Sequence, residues 1–296
     1  MCAGDSSTKL IRFERDGLRF TAFEFGDPEA EPIILLHGFP ESAQDFHPLG
    51  EALAAAGCYV LIPEVRGREP LARPKGRLAY RLDEYAADVI ALLSRRGLDS
   101  AHIVGHDLGG AVAWLVASSN PSRVRTMTSI SMPHPRAYLA SLLSSKQAFQ
   151  SWYLLLMQLP FLPELLVMWT PALVEVILSR MGLDADLARK YLRRLKSFDS
   201  AVGAINWYRG LPLGRRSDVA GPISPPASLI WGSCDAVVSK RAAELTNEWS
   251  GASYTFTCLE GGSHWLVEQR LEEVTRSIVS IVGAHPNDVG ATDARN

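Results

Sequence analysis

The stretch that most constrains the fold is Ala101-His102-Ile103-Val104-Gly105-His106-Asp107-Leu108-Gly109-Gly110-Ala111-Val112-Ala113-Trp114. It joins a short apolar run, a turn framed by glycines and an apolar helical run. Glycines two residues either side of a central residue let a strand bend sharply into a helix, which lifts one side chain above the end of a sheet. Here that side chain is the carboxylate of Asp107, in a position where serine is the usual nucleophile.

The rest of the chain supplies the sheet that such a turn needs. Ile11 to Glu14 and Leu18 to Phe25, joined at Asp16-Gly17, read as an antiparallel hairpin. Pro32 to Gly38 and Tyr59 to Pro63 are continuous apolar runs, as expected of strands covered on both faces. Helical spacing predicts helices from about Ala43 to Ala56, from Leu82 to Arg95 and from Asp107 to Asn120-Pro121. Val124 to Met132 is a further strand.

From about Arg136 to Leu213 the strand signal stops, and helical stretches broken by prolines take over. Alternation then resumes with a strand at Ala227 to Gly232, a helix near Lys240 to Trp249, a strand at Tyr254 to Leu259 and a helix from Leu266 to Val282. The ends of the chain, before the hairpin and from His285 onwards, are polar and read as loose.

Alternation of this kind predicts an α/β fold: a mostly parallel central sheet flanked by helices, interrupted by an inserted helical cap. The division is residues 1–132 for the first part of the core, 133–216 for the cap and 217–296 for the second part of the core. Chemistry in such sheets gathers at the carboxyl ends of the strands. His37, Asp107, Asp235 and His264 all fall there.

The formal charge of −2 offers no basic surface for nucleic acid. Cys2, Cys58, Cys234 and Cys258 have neither a disulfide framework nor the paired spacing of a metal site, and the start shows no basic-then-apolar leader, so a reduced, cytoplasmic setting is expected. The apolar stretch from Trp152 to Leu178 is cut by Pro160, Glu164, Pro163, Pro171 and Glu175, and is expected to be buried rather than to span a membrane. Oligomeric state stays open between monomer and homodimer.

Four motifs occur in this order, His37-Gly38-Phe39-Pro40, Gly105-His106-Asp107-Leu108-Gly109-Gly110, Trp231-Gly232-Ser233-Cys234-Asp235 and Gly261-Gly262-Ser263-His264-Trp265, and the last three hold a candidate nucleophile, acid and histidine. Over nearly its whole length the chain resembles the α/β-hydrolase fold family and, within it, the epoxide hydrolase branch. The resemblance implies attack by Asp107, a water activated by His264, and Asp235 orienting that histidine. It also implies two cap tyrosines on the epoxide oxygen, at Tyr153 and Tyr208; spacing alone does not separate these from Tyr138 or Tyr191. The amides of Phe39 and Leu108 are the candidate oxyanion donors. His106, Trp152 and Pro40 are candidate substrate contacts, and His134 is considered with them.

The implied partners are a small apolar epoxide and water, with no metal and no cofactor. Other readings remain. Asp107 and Asp235 could be helix caps or turn residues, His264 a loop residue, and the two tyrosines core aromatics. His37 reads as a loop-holding residue and Cys234 as a small filler beside Asp235. Haloalkane and haloacid dehalogenases on this fold also use an aspartate, and a binding protein could keep the same shell without catalysis.

Overall fold

The computed structural model describes residues 9–214, 220–251 and 253–286. The polar ends at residues 1–8 and 287–296, and the expected cap boundary near residue 216, lie outside them. Eight strands form one sheet: β1 (Lys9–Arg15), β2 (Leu18–Phe25), β3 (Glu31–Leu36), β4 (Cys58–Pro63), β5 (Ala101–His106), β6 (Val124–Ile130), β7 (Ala227–Gly232) and β8 (Tyr254–Leu259). Their order is β1-β2-β4-β3-β5-β6-β7-β8. β1 and β2 pair antiparallel, β2 joins β4 antiparallel, and every later pairing is parallel.

The apolar runs explain the order of burial. All six residues of β4, β5 and β7 are buried, whereas the edge strand β8 has none that is. One core face gathers Tyr59, Leu61, Trp114, Leu92 and Leu93, and the other Ile33, Leu35, Val60, Ile62 and Ile278. Hence each central strand sends alternate side chains to opposite cores.

The flanking helices are α1 (His47–Ala55), α2 (Leu82–Arg95), α3 (Leu108–Ser119), then α4 (Pro135–Ser144), α5 (Gln147–Gln150), α6 (Trp152–Gln158), α7 (Leu162–Trp169), α8 (Pro171–Arg180), α9 (Ala185–Arg193) and α10 (Phe198–Gly210) between β6 and β7. After β7 come α11 (Lys240–Leu245), α12 (Leu266–Gln269) and α13 (Leu271–Ala284).

Three expected helices are shorter or divided. A tighter 3-10 turn occupies Ala43–Phe46 before α1, another replaces the end of the helix after Leu245, and Arg270 breaks the last helix with φ −134° and ψ 41°. β6 also stops at Ile130, because Ser131 turns the chain with φ 54°.

The apolar stretch from Trp152 to Leu178 is not buried as expected. Pro160 and Pro171 divide it into short helices that each cover the protein with one stripe, leaving Leu155, Phe161 and Trp169 more than half exposed. Among the described residues no single helix is long and apolar enough to cross a membrane.

The order β4-β3-β5 creates the crevice that positions the site. The chain leaves β3 to one side and returns to the other at β5, so the loops after β3 and β5 diverge with a gap at their carboxyl ends. The loop after β3 holds Phe39 and that after β5 holds Asp107.

Candidate active site

Asp107 sits in the turn with φ 50° and ψ −123°, a backbone conformation that a side chain adopts only under constraint. The turn is held by close packing that needs glycine. A Cβ on Gly105 would meet the Gly109 carbonyl oxygen at 2.2 Å, and one on Gly38 would meet the Asp107 Cβ at 2.6 Å. The carboxylate is thereby fixed at the amino end of α3, where the helix dipole favours negative charge. One oxygen, Oδ2, accepts the Phe39 backbone N–H at 3.1 Å. The N–H of Leu108 belongs to the first turn of α3, whose donors have no partner within the helix.

His264 faces the other carboxylate oxygen, with Nε2 3.6 Å from Asp107 Oδ1, a charge contact longer than a hydrogen bond. Its Nδ1 meets Asp235 Oδ2 at 3.0 Å. Asp235 uses its other oxygen to accept the N–H groups of Val237 at 2.7 Å and Val238 at 2.8 Å. It therefore holds its own turn and touches His264 at once.

Burial opposes a charged His264, but Asp235 and Asp107 outweigh it and push its pKa up to about 10. Burial likewise opposes an ionised Asp107; His264, His106 and the Phe39 N–H prevail and hold its carboxyl below the usual range. At neutral pH the resting pair is thus imidazolium and carboxylate.

That raised pKa has a consequence for stability. Its folded value exceeds the ordinary histidine value, so the contribution is complete below about pH 6.5 and disappears as pH rises through about 10. Thermal melts of the protein are expected to fall between pH 7 and pH 10, and a His264→Gln variant to lose less over that window. Parallel losses in the two proteins would contradict the assignment.

Tyr153 and Tyr208 stand over Asp107 from α6 and α10, their rings edge to face at 5.9 Å. Burial, with the charge of nearby Asp107 adding to it, holds both phenols well above their ordinary pKa, so both stay protonated. Among the described residues neither hydroxyl has a hydrogen-bond partner. The other two tyrosines differ: the Tyr138 hydroxyl is taken by Ser151 Oγ at 2.5 Å, and Tyr191 donates to Glu268 at 2.6 Å. Geometry thus separates four tyrosines that spacing could not.

Two cavities meet at Asp107, Tyr153, Tyr208 and Val237. The larger, about 410 Å³, runs past Leu108, Met132, Tyr138 and Leu154; the smaller, about 80 Å³, runs past Phe39, Trp152, His264 and Trp265. Apart from the reacting groups their walls are mainly apolar, which suits an apolar ligand.

Several expected contacts belong elsewhere. His106 is fully buried on the far side of the strand from the cavity, its Nδ1 on Glu41 at 3.0 Å and its Nε2 donating to the His264 carbonyl at 2.9 Å. Alternation along β5 is the reason: neighbours in a strand face opposite ways. Pro40 is buried behind a cis Phe39-Pro40 bond and lines neither cavity. His134 caps α4, accepting the Arg136 N–H at 3.2 Å, and lines neither cavity. Cys234 is exposed rather than filling space beside Asp235. His37 is fully buried against Glu64 at 2.8 Å, and Trp152 lines the smaller cavity.

Sequence reasoning missed Glu41. Its Oε2 accepts the Gly38 N–H at 2.8 Å and its carboxylate pairs with His106, tying the Phe39 loop to the His264 backbone. Burial opposes a charged His106, yet Glu41 lifts its pKa to about 9. The signal was its place directly after His37-Gly38-Phe39-Pro40.

The sequence profile of the alpha/beta hydrolase fold matches residues 31–271. The chain belongs to this family. Among its relatives, epoxide hydrolase A of Mycobacterium tuberculosis is 28% identical over 321 residues, covering 94% of this chain and 98% of that one. The AB hydrolase superfamily protein YfhM of Bacillus subtilis is 27% identical over 272 residues, covering 89% and 94%. The crystal structure of epoxide hydrolase A from Mycobacterium thermoresistibile superposes with a TM-score of 0.80 at 23% identity, covering 95% of this chain and 99% of that one. That likeness shares the α/β-hydrolase fold, with its mostly parallel sheet and flanking helices.

Proposed function

We propose that this α/β hydrolase converts an apolar epoxide to a vicinal diol through an ester on Asp107. The observation that carries this reading is the pair of protonated phenols, Tyr153 and Tyr208, their hydroxyls without a partner among the described residues, facing an ionised Asp107 across one apolar cavity. Several relatives are named epoxide hydrolases, which supports the same assignment.

In the first step an Asp107 oxygen forms a bond to an epoxide carbon as the ring C–O bond breaks. The departing oxygen, a far stronger base than phenolate, takes its proton from the tyrosine pair. The Asp107 side chain is then a neutral ester. Loss of its charge removes one of the two groups that hold His264 protonated, so the imidazolium gives up its proton to the solvent, from which the tyrosinate regains the proton it lost, and neutral His264 can serve as a base.

In the second step neutral His264 takes a proton from water and the hydroxide adds to the Asp107 carboxyl carbon. The amides of Phe39 and Leu108 stabilise the oxyanion, and collapse releases the diol and restores the carboxylate. Asp235 keeps Nδ1 of the imidazole oriented throughout. Serine in place of Asp107 would give an ether, with no carbonyl for water to attack.

Dehalogenation would use the same nucleophile but needs N–H donors for the departing halide. Leu108 after the nucleophile offers no side-chain donor, and of the two indoles on the smaller cavity that of Trp265 is spent on the Met181 carbonyl at 3.2 Å, which leaves Trp152 as a single indole donor where the two phenols already face Asp107. A panel of styrene oxide, aliphatic and fatty epoxides, haloalkanes and fluoroacetate tests the reading. Diol without halide is expected; halide without diol would make the protein a dehalogenase, and no turnover of any epoxide would leave it a binding protein.

A further inference from the structure

The helical insertion carries an apolar surface that the proposed chemistry does not use. Leu143 is 96% exposed, Phe149 82% and Trp169 77%. They extend outward stripes at helical spacing, Leu139 with Leu143 on α4 and Leu162, Leu165 with Trp169 on α7, all of them exposed. The helices pack in succession, α4 on α5, α5 on α6, α6 on α7 and α7 on α8, so the stripes lie on neighbouring elements. Large apolar side chains exposed to this extent on successive helices mark a surface with a binding purpose.

Charge selects the occupant. Residues 133–216 hold eleven Lys and Arg against five Asp and Glu, in a chain whose total is −2; Arg189, Lys190, Arg194 and Arg209 are held in ion pairs, and Lys146 and Arg180 are in none that the described residues show. Between Pro135 and Arg180 the only carboxylates are Glu164 and Glu175, and each is paired with an arginine, Arg209 and Arg189. Lys146 and Arg180, both exposed, line one open depression of about 690 Å³ together with Phe149 and Trp152. Apolar rings bordered by cations that are unpaired among the described residues match the boundary between anionic headgroups and acyl chains. A second copy would set like charge against like across a two-fold interface.

The shape agrees. α6 and α7 together are apolar enough to enter a bilayer but bend by 102° at a short break, which suits lying in the interface rather than crossing it. The mouth of the larger cavity opens on this side, since Leu139 and Leu155 both line it and are exposed. We infer that this face docks on an anionic lipid bilayer surface, holding the cavity mouth against the acyl phase. The docking depends on surface composition alone and is independent of the reaction proposed above.

Co-sedimentation of the full chain with phosphatidylcholine vesicles, with and without phosphatidylglycerol, tests it. Binding to the anionic vesicles is expected to exceed that to neutral ones by about tenfold or more and to weaken in high salt. A triple variant, Leu143→Ser with Phe149→Ser and Trp169→Ser, is expected to lose about tenfold or more of that binding, while its melting temperature stays at the wild-type value because all three side chains are exposed. Lys146→Glu with Arg180→Glu is expected to remove the preference for phosphatidylglycerol. Equal binding to both vesicles, or binding that the triple variant leaves unchanged, would overturn the proposal. So would a lipid-free dimer in sedimentation equilibrium that the triple variant dissociates, since the occupant would then be a second copy.

Discussion

A His264→Gln variant is expected to lose epoxide turnover by about a thousandfold or more while a covalent ester accumulates on Asp107. The two half-reactions place different demands on His264. Attack needs an ionised Asp107, whose charge is supported by the Phe39 N–H and by His106 as well as by His264. Ester hydrolysis needs a base next to the carboxyl carbon, and Asp235 lies behind the imidazole rather than in the cavity. Glutamine keeps much of the imidazole's volume but accepts no proton from water. Intact-mass spectrometry after mixing with a turned-over epoxide should show the protein heavier by one substrate. An unmodified mass with turnover lost would assign His264 to the first step instead.

The second large effect is expected from replacing Tyr153 and Tyr208 together by phenylalanine. Loss of one positioned donor to a developing oxyanion costs about a hundredfold or more, and loss of both should reduce ring opening by about ten thousandfold. The variant should fold, because the contacts of these rings are ring contacts: Tyr153 against Tyr208 at 5.9 Å and Phe39 against Tyr208 at 5.2 Å. Neither hydroxyl gives up a hydrogen bond to any of the described residues on removal. Pre-steady-state mixing should show ester formation slowed with no change in its hydrolysis. Undiminished ring opening in the double variant would remove both tyrosines from the mechanism.

The sheet was legible because its strands are read from continuous apolar runs, and burial on both faces is what such runs are for. Asp107, Asp235 and His264 were legible as residues at strand ends, and the structure sets His264 between the two carboxylates, 3.6 Å from Asp107 and 3.0 Å from Asp235. The tyrosines were not legible from spacing, since what distinguishes Tyr153 and Tyr208 from Tyr138 and Tyr191 is whether the fold brings a partner to the hydroxyl, Ser151 for Tyr138 and Glu268 for Tyr191. His106 misled because it adjoins the nucleophile in sequence while pointing to the opposite side of β5. Glu41 was overlooked because its importance lies in joining two loops 65 residues apart. The Trp152 to Leu178 stretch was misjudged for a different reason: apolar composition states how much surface prefers to leave water, not whether another part of the same chain covers it.

The order of bond making is the centre of the account, and single-turnover hydrolysis in heavy-oxygen water tests it most directly. With enzyme in excess over styrene oxide, the diol should carry ordinary oxygen and the peptide containing Asp107 should carry the heavy label, because water attacks the carboxyl carbon and the carboxylate's own oxygen leaves with the product. Heavy oxygen in the diol after that first turnover, with Asp107 unlabelled, would mean that water attacks the epoxide directly and would contradict the ester mechanism.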